Sequence, residues 1–586
     1  MLLLSAVALF VIWVLWNHFT AKARFPPPIQ PNEPAKVKKH VGIIGCGVSG
    51  LLLMKELREK GHTFECYEML GRLGGVFAKT YDNATMTSGS MTTGLSYWSD
   101  GKDAEPTVWS CDQYVTEQLD RMAAELNLLE HVKFQHRVDV VRRAGDGKYE
   151  LVVQPDVACK PHRLCPNPKP ADPNAQAFVR KFDQIIVCTG THRDWQLPVF
   201  PGQEKFKGTI IHSADYVNAE PLAGKRVLTI GGGESGADIT LQIARVAAKT
   251  AICIRGHHGH LIPRWLPKGS GHHMPTDVNT SRLRYTNPLE MGVAGATTLL
   301  KYRRWHPRLQ KNKVLQKMIE YNLDNKSCAF TKFGCKNTSF VEAILHHGCE
   351  RKPAVKEFKE DRVIFVDGSE FMCDAVVCNT GYQNSFPLLE ENFPELAKSA
   401  VRPRGMFKHI IDADFGTDIM FMGFARPAFG SVPAIAENQA RFIARVVSEE
   451  QPLPDKAGMQ AVIKADAEDY TRRFPMDAER LPTLVDFMLY NDAMAEQLKT
   501  GPPMWDIFWS SPSLWWKMHR TALTNHQYRL RGVGNDPERA LRILKALPKG
   551  PPVESIIFTV TLLYSLFNYH ILRRKQFKPN NMFMSE

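Results

Sequence analysis

The sequence predicts an α/β fold made of two Rossmann-like dinucleotide-binding domains, with membrane-associated helices at the two ends. Three observations carry this. The pattern G-x-G-x-x-G occurs at Gly45, Gly47 and Gly50, and again at Gly231, Gly233 and Gly236. Each copy sits between a short apolar run and a stretch with helical spacing of Leu, Ile and Ala, the strand–turn–helix context in which the pattern binds phosphate. Both ends of the 586-residue chain are apolar, "MLLLSAVALFVIWVLW" and "SIIFTVTLLYSLFNYHIL".

Composition agrees with a globular chain. Hydrophobic residues make up 44% and charged ones 23%, too apolar for disorder. The net charge of +13 is spread along the chain, and its densest run, Lys301 to Lys313, reads as a solvated helix face. No zinc-finger, RRM or KH pattern accompanies it, so no nucleic-acid partner is expected. The 12 cysteines are scattered without a C-x-x-C pair, so neither a disulfide framework nor a metal site is expected.

Residues 1–21 read as a membrane anchor, because no Asp, Glu, Lys or Arg appears before Lys22 and a membrane helix needs ~20 such residues. A cleaved signal peptide, cut near "AKA" at Ala21–Ala23, is the competing reading. Lys22, Arg24, Lys36, Lys38 and Lys39 follow the apolar run and would keep the body in the cytosol. With membrane lipid as partner, the endoplasmic reticulum is the expected location. The sequons at Asn83, Asn279, Asn325 and Asn337 should then carry no glycan. A Pro-rich linker spans 22–39.

The first domain, 40–217, opens with strand, glycine loop and helix. Each glycine has a role: the tight turn, the approach of a pyrophosphate, and close helix–strand packing. The next strand, "TFECYE", ends at Glu68, 18 residues after Gly50, where a carboxylate bonds ribose hydroxyls. The Gly74–Gly75 pair then lets the backbone pass close to a cofactor.

The second domain, 218–370, repeats the pattern, with Ser235 inside its loop. Its following strand ends at Arg255, 19 residues after Gly236. An Arg in that place suits a 2′-phosphate, hence NADPH, while the Glu-ended copy suits FAD. Thr380 and Gly381 end another apolar strand and join the candidate cofactor residues. The first domain resumes over 371–450. A helical extension (451–550) and a membrane-associated helix with its tail (551–586) complete the chain.

Between the two loops, Phe206, Gly208, His212 and Tyr216 match F-x-G-x-x-x-H-x-x-x-Y. This resembles the signature of flavin-containing monooxygenases; Baeyer–Villiger enzymes carry a similar one ending in Trp. Phe206 is expected to pack between domains, Gly208 to adopt unusual backbone, and His212 to bond across the hinge. "IIVCTG" and "AVVCNTGY" resemble the family's paired A-T-G segments. "GSVPAIAENQAR" resembles its G-x-x-x-P-x-x-E-x-Q-x-R segment at Gly430, Glu437, Gln439 and Arg441.

The resemblance implies an FAD- and NADPH-dependent monooxygenase in which molecular oxygen adds to reduced flavin as a C4a-hydroperoxide. It would oxygenate the soft nitrogen or sulfur of a small amine or sulfide. Baeyer–Villiger oxygenation, peroxide release by an NADPH oxidase, and a flavin-bound membrane scaffold are the alternatives. Many members place an Asn beside the flavin shortly after the Gly-Gly turn. Here the corresponding stretch offers Thr87, Ser88 or Ser90 instead.

Overall fold

In a computed structural model of the chain, residues 2–99, 101–102, 104–256, 260–266, 274–282, 299–324, 334–474 and 481–548 are described, together with 556, 559 and 560. Two five-stranded parallel sheets dominate. The first has the order Ile419–Phe421, Gln184–Val187, His40–Ile44, Thr63–Glu68 and Val132–Phe134. The second has the order Glu350–Lys352, Lys249–Cys253, Arg226–Ile230, Ala375–Cys378 and Thr209–His212. Their central strands are short, mostly apolar runs covered on both faces, as parallel sheets require. Alternation divides the first sheet cleanly. Val41, Ile43, Ile186 and Met420 feed one core, while Ile44, Ile185, Val187, Ile419 and Phe421 feed the other.

Each sheet thus has the same centre. The strand before a glycine loop lies between the strand ending in Glu68 or running on to Arg255 and the strand leading to a Thr-Gly pair. The ribbon that pairs Asp194–Trp195 with Tyr382–Gln383 lies where the chain passes between the sheets. Thr209–His212 and Ala375–Cys378 both belong to the second sheet. The passages therefore lie at this ribbon, away from the boundaries expected at 217 and 371. Helix Val432–Val447 is buried along nearly its whole length and packs on helix Val48–Glu59, closing the first domain. The extension contains helices Lys456–Arg473, Phe487–Gln497, Met504–Ser510, Pro512–Arg520 and Pro537–Ala546.

The expected membrane-spanning anchor is corrected. Residues Leu2–Arg24 form a helix, but among the described residues no helix is long and apolar enough to cross a membrane. Its apolar part ends at Trp16, before Asn17 and His18, and at 1.5 Å per residue reaches only about 22 Å, short of the ~30 Å hydrocarbon core. Its polar half is tied to the protein. His18 Nδ1 lies 2.8 Å from the Trp509 carbonyl, and Arg24 pairs with Asp506 at 2.7 Å. The C-terminal apolar run lies almost wholly outside the described residues.

Candidate dinucleotide sites and active site

The two glycine loops are geometric copies. Gly45 and Gly231 have φ of +104° and +107°, a region that L side chains avoid. A Cβ on Gly50 would strike the Gly45 carbonyl, and one on Gly236 would strike the Gly231 carbonyl. These four glycines are required by the fold itself.

The middle glycines are different. Gly47 and Gly233 have φ of −75° and −81°, which any residue adopts. A Cβ on Gly233 would meet nothing within 4 Å, and one on Gly47 only the Gly75 Cα at 3.7 Å. Neither the backbone nor the packing asks for glycine there. The space each leaves is a cradle that a side chain would fill, at the N-terminus of a helix whose first N–H groups have no intrahelical acceptor. That fits a pyrophosphate at both loops. Gly75, at φ +56°, faces Gly47, and the Gly74 N–H donates to the Cys46 carbonyl at 3.0 Å. The Gly74–Gly75 turn therefore forms the wall opposite the first cradle.

Glu68 ends its strand buried beside the first loop. Cys46 N–H donates to its Oε2 at 2.7 Å and Leu70 N–H to its Oε1 at 2.8 Å. Burial pushes this carboxyl up, and the backbone donors oppose the shift. Each oxygen keeps a lone pair for a ribose hydroxyl. In the second unit, Arg255 is exposed past the end of its strand. Glu234, at the start of helix Glu234–Ala244, keeps its Oε2 buried with no hydrogen-bond partner among the described residues. Ser235 follows it on the helix's first turn.

Thr380 and Gly381 serve the passage between the sheets. The Thr380 hydroxyl donates to the Gln196 carbonyl, and Gln196 N–H donates to the Gly381 carbonyl at 3.1 Å. His212 stands at the same passage. It stacks on Trp195 at 5.3 Å and meets the Tyr382 ring edge-on at 5.5 Å. Burial lowers its pKa. It holds the two connections by ring packing. Phe206 packs against Phe358 inside the second unit, so the expected packing between domains is corrected. Gly208 has no positive φ; a Cβ there would press on the Asp374 carbonyl and the Phe206 ring, so crowding demands the glycine. The Tyr216 hydroxyl donates to Gln242 Oε1 at 3.0 Å.

A sequence profile described as "FMO-like: Flavin-binding monooxygenase-like" matches residues 38–546. The chain belongs to this family. It is an NADPH-dependent flavin monooxygenase, with FAD and NADPH as cofactors. Among curated relatives, a 4-hydroxybenzoate brominase (decarboxylating) of Pseudoalteromonas luteoviolacea is 27% identical, over 87% of this chain and 93% of its own length. Flavin-containing monooxygenase 5 of Cavia porcellus is 29% identical, over 85% and 90%. The structure of an S-allyl-L-cysteine S-oxygenase from Allium sativum shares the fold with a TM-score of 0.53 at 17% identity, over 90% of this chain and 99% of that one. Cyclohexanone monooxygenase from Rhodococcus sp. Phi1 bound to NADP+ gives 0.55 at 16%, over 79% and 97%.

In this flavin monooxygenase the stretch that replaces the expected asparagine is sorted by its hydrogen bonds. The Ser88 hydroxyl donates to the Gly430 carbonyl. The Ser90 hydroxyl donates to the Glu105 carbonyl at 2.7 Å and accepts from Thr107 N–H at 3.0 Å. Both are committed to the protein. Thr87 is exposed, and its hydroxyl makes no bond to the described residues. The Gly430–Arg441 segment is structural. Glu437 accepts from Ser96 N–H at 3.0 Å, from Asn525 Nδ2 at 2.9 Å and from Arg529 Nη2 at 3.1 Å. Gln439 donates to the Tyr490 hydroxyl at 2.7 Å, and Arg441 to the Tyr528 carbonyl at 3.1 Å. Sequence reasoning missed Asp277, which is buried between Lys336 and the turn at Gly89; no local pattern announces it.

Proposed function

We propose that this monooxygenase transfers one oxygen atom to the nitrogen or sulfur of a small, largely apolar amine or sulfide. The reading rests on the two pyrophosphate cradles, one beside a ribose carboxylate and one leading to Arg255, with Tyr216 closing the signature between them. A flavin held at the first loop and reduced by NADPH at the second would supply activated oxygen. The chain's own residues bind, orient and exclude water. Gly45–Gly50 and Glu68 hold the flavin nucleotide, Gly231–Gly236 and Arg255 hold NADPH, and Thr87 offers a hydroxyl toward the reacting oxygen.

A cavity walled on one side by Ile262, Leu299, Leu300 and Phe429 and on the other by polar groups that include Thr276, Arg303 and Lys336 is the proposed substrate chamber. Phe429 precedes Gly430, whose carbonyl takes the Ser88 hydroxyl. The apolar wall thus adjoins the stretch that carries Thr87.

The brominase and cyclohexanone monooxygenase relatives make halogenation and Baeyer–Villiger chemistry the competing outcomes. Purified protein with NADPH and oxygen would be given N,N-dimethylaniline, a thioether, cyclohexanone, or 4-hydroxybenzoate with bromide. N-oxide or sulfoxide formation is expected. A lactone or a brominated phenol without either product would overturn the reading.

We further propose that the body lies on the cytosolic face of the endoplasmic reticulum, attached along its surface. Leu9, Phe10, Ile12, Trp16 and Phe19 are exposed on the N-terminal helix, as is Trp505 beside it. Val7, Val11 and Leu15 are exposed on its other sides, and an apolar helix with Trp followed by cations suits contact with lipid. The sequon residue Asn337 is buried and donates to the Glu234 carbonyl at 2.9 Å, which leaves no room for a glycan. Co-flotation with phospholipid vesicles, lost on truncating residues 2–21, is expected; a glycan on the exposed sequon residue Asn83 would place the body in the lumen.

A further inference from the structure

Asp277 is 1% exposed and lies between the two nucleotide-binding units. Its Oδ2 accepts from the Gly89 N–H and from the Thr92 hydroxyl at 2.6 Å. Its Oδ1 takes the Lys336 ammonium. Lys336 in turn donates its backbone N–H to Glu234, the residue after the middle glycine of the second loop. One carboxylate thus joins the turn at Gly89–Thr92 to the segment that supports the NADPH loop.

The other end of the same stretch is held in a similar way. The Tyr81 hydroxyl donates to Asp238 Oδ2 at 3.0 Å, and Gln242 Nε2 donates to the Asp82 carbonyl at 2.9 Å. Asp238 and Gln242 lie on helix Glu234–Ala244, which starts at the second loop. Asp238 is fixed by Arg264 at 2.8 Å and by Ser339 at 3.1 Å. Residues 81–92 are therefore pinned at both ends by side chains of the NADPH unit. Between the pins, Thr87 is the residue whose hydroxyl is exposed and uncommitted.

We propose that Asp277 is a positioning residue that sets how the enzyme divides its reducing equivalents. With substrate S, the coupled reaction is NADPH + H+ + O2 + S → NADP+ + H2O + SO. The leak is NADPH + H+ + O2 → NADP+ + H2O2. Both take two electrons from NADPH and differ only in where the second oxygen atom goes. Flavin reduction needs the two nucleotides side by side and does not need Thr87. Oxygen transfer needs the 81–92 stretch in register. Loosening Asp277 therefore opens the leak while reduction proceeds. This inference rests on the monooxygenase reading of the site and adds a residue to it.

The test uses the FAD-loaded full chain with Thr92→Val and Asp277→Asn. Thr92→Val keeps the shape and the Asp277–Lys336 pair and removes one bond; it serves if Asp277→Asn fails to fold. Anaerobic flavin bleaching by NADPH is expected within about twofold of the parent, while the ratio of H2O2 to oxygenated product rises about tenfold, the effect of one charge-assisted hydrogen bond. A merely structural role would lower flavin content and slow bleaching and oxygenation together. Thr92→Val with a parental ratio, or with bleaching slowed in step with product, would overturn the assignment. If the parent neither bleaches nor oxygenates, the monooxygenase reading itself fails.

Discussion

Both oxygens of Glu68 are held by backbone N–H groups, Oε2 by Cys46 in the first glycine loop at 2.7 Å and Oε1 by Leu70 just past its own strand at 2.8 Å. The carboxylate thus ties the first glycine loop to the turn after its own strand, where a ribose is proposed to bind. Glu68→Gln would turn an NH2 toward one of those N–H donors. Losing one charged hydrogen bond costs ~1.5–3 kcal/mol, so FAD affinity should fall at least tenfold. The ratio of flavin to protein absorbance after gel filtration measures this; full retention would remove Glu68 from the FAD site.

Gly47 and Gly50 should separate binding from folding. Gly47→Ala places its Cβ in open space beside Gly75, so the apoprotein should melt at the parental temperature yet come off the column colourless. Gly50→Ala drives its Cβ into the Gly45 carbonyl and should lower the melting temperature of the apoprotein as well. Equal destabilisation by the two would mean that the space at Gly47 is not reserved for a ligand.

Arg255 is the proposed source of the preference for NADPH. Its side chain is exposed beyond the strand, and a charged hydrogen bond to a 2′-phosphate would contribute ~1.5–3 kcal/mol. Arg255→Ala should raise the KM for NADPH tenfold or more and leave that for NADH nearly unchanged. Steady-state kinetics with both nucleotides decides it; equal losses would assign the phosphate to another residue.

Thr87, Ser88 and Ser90 should no longer behave alike. Thr87→Ala should raise peroxide release several-fold with little change in stability. Ser90→Ala breaks the link between Glu105 and Thr107 and should lower the melting temperature with little effect on the peroxide ratio among folded molecules. Peroxide and product measured beside thermal melts check both; no change in coupling for Thr87→Ala would move oxygen stabilisation to another group.

Glu437 should govern acid stability. Burial alone would raise its pKa, but Arg529 and the bonds from Ser96 and Asn525 outweigh burial and bring it down to about 2. A folded pKa below the unfolded one means stability that is complete above about pH 4.5 and is lost as pH falls toward 2. Arg529→Met leaves this carboxylate buried without its strongest partner, which costs ~3–5 kcal/mol and shifts acid unfolding to higher pH. Urea melts between pH 7 and pH 3 measure the shift; superimposable curves would show that the pair contributes nothing.

The sequence by itself determined the two strand–glycine-turn–helix units and the positions of Glu68 at the end, and Arg255 just past the end, of the strands that follow them. Each is a local strand–turn–helix device, in which chain spacing fixes geometry: Glu68 must lie beside the loop because its strand pairs with His40–Ile44. Tertiary structure decided the rest. Thr87 was separated from Ser88 and Ser90 by carbonyls elsewhere in the chain, Gly430 among them. Asp277 reaches Gly89 across 188 residues, a distance over which no periodicity carries information. The N-terminal helix was legible as apolar, but the ion pair of Arg24 with Asp506 and the seating of His18 on Trp509 come from a segment nearly five hundred residues away. Hydrogen bonds of that kind depend on how separate elements pack, and packing is settled only when the whole chain has folded.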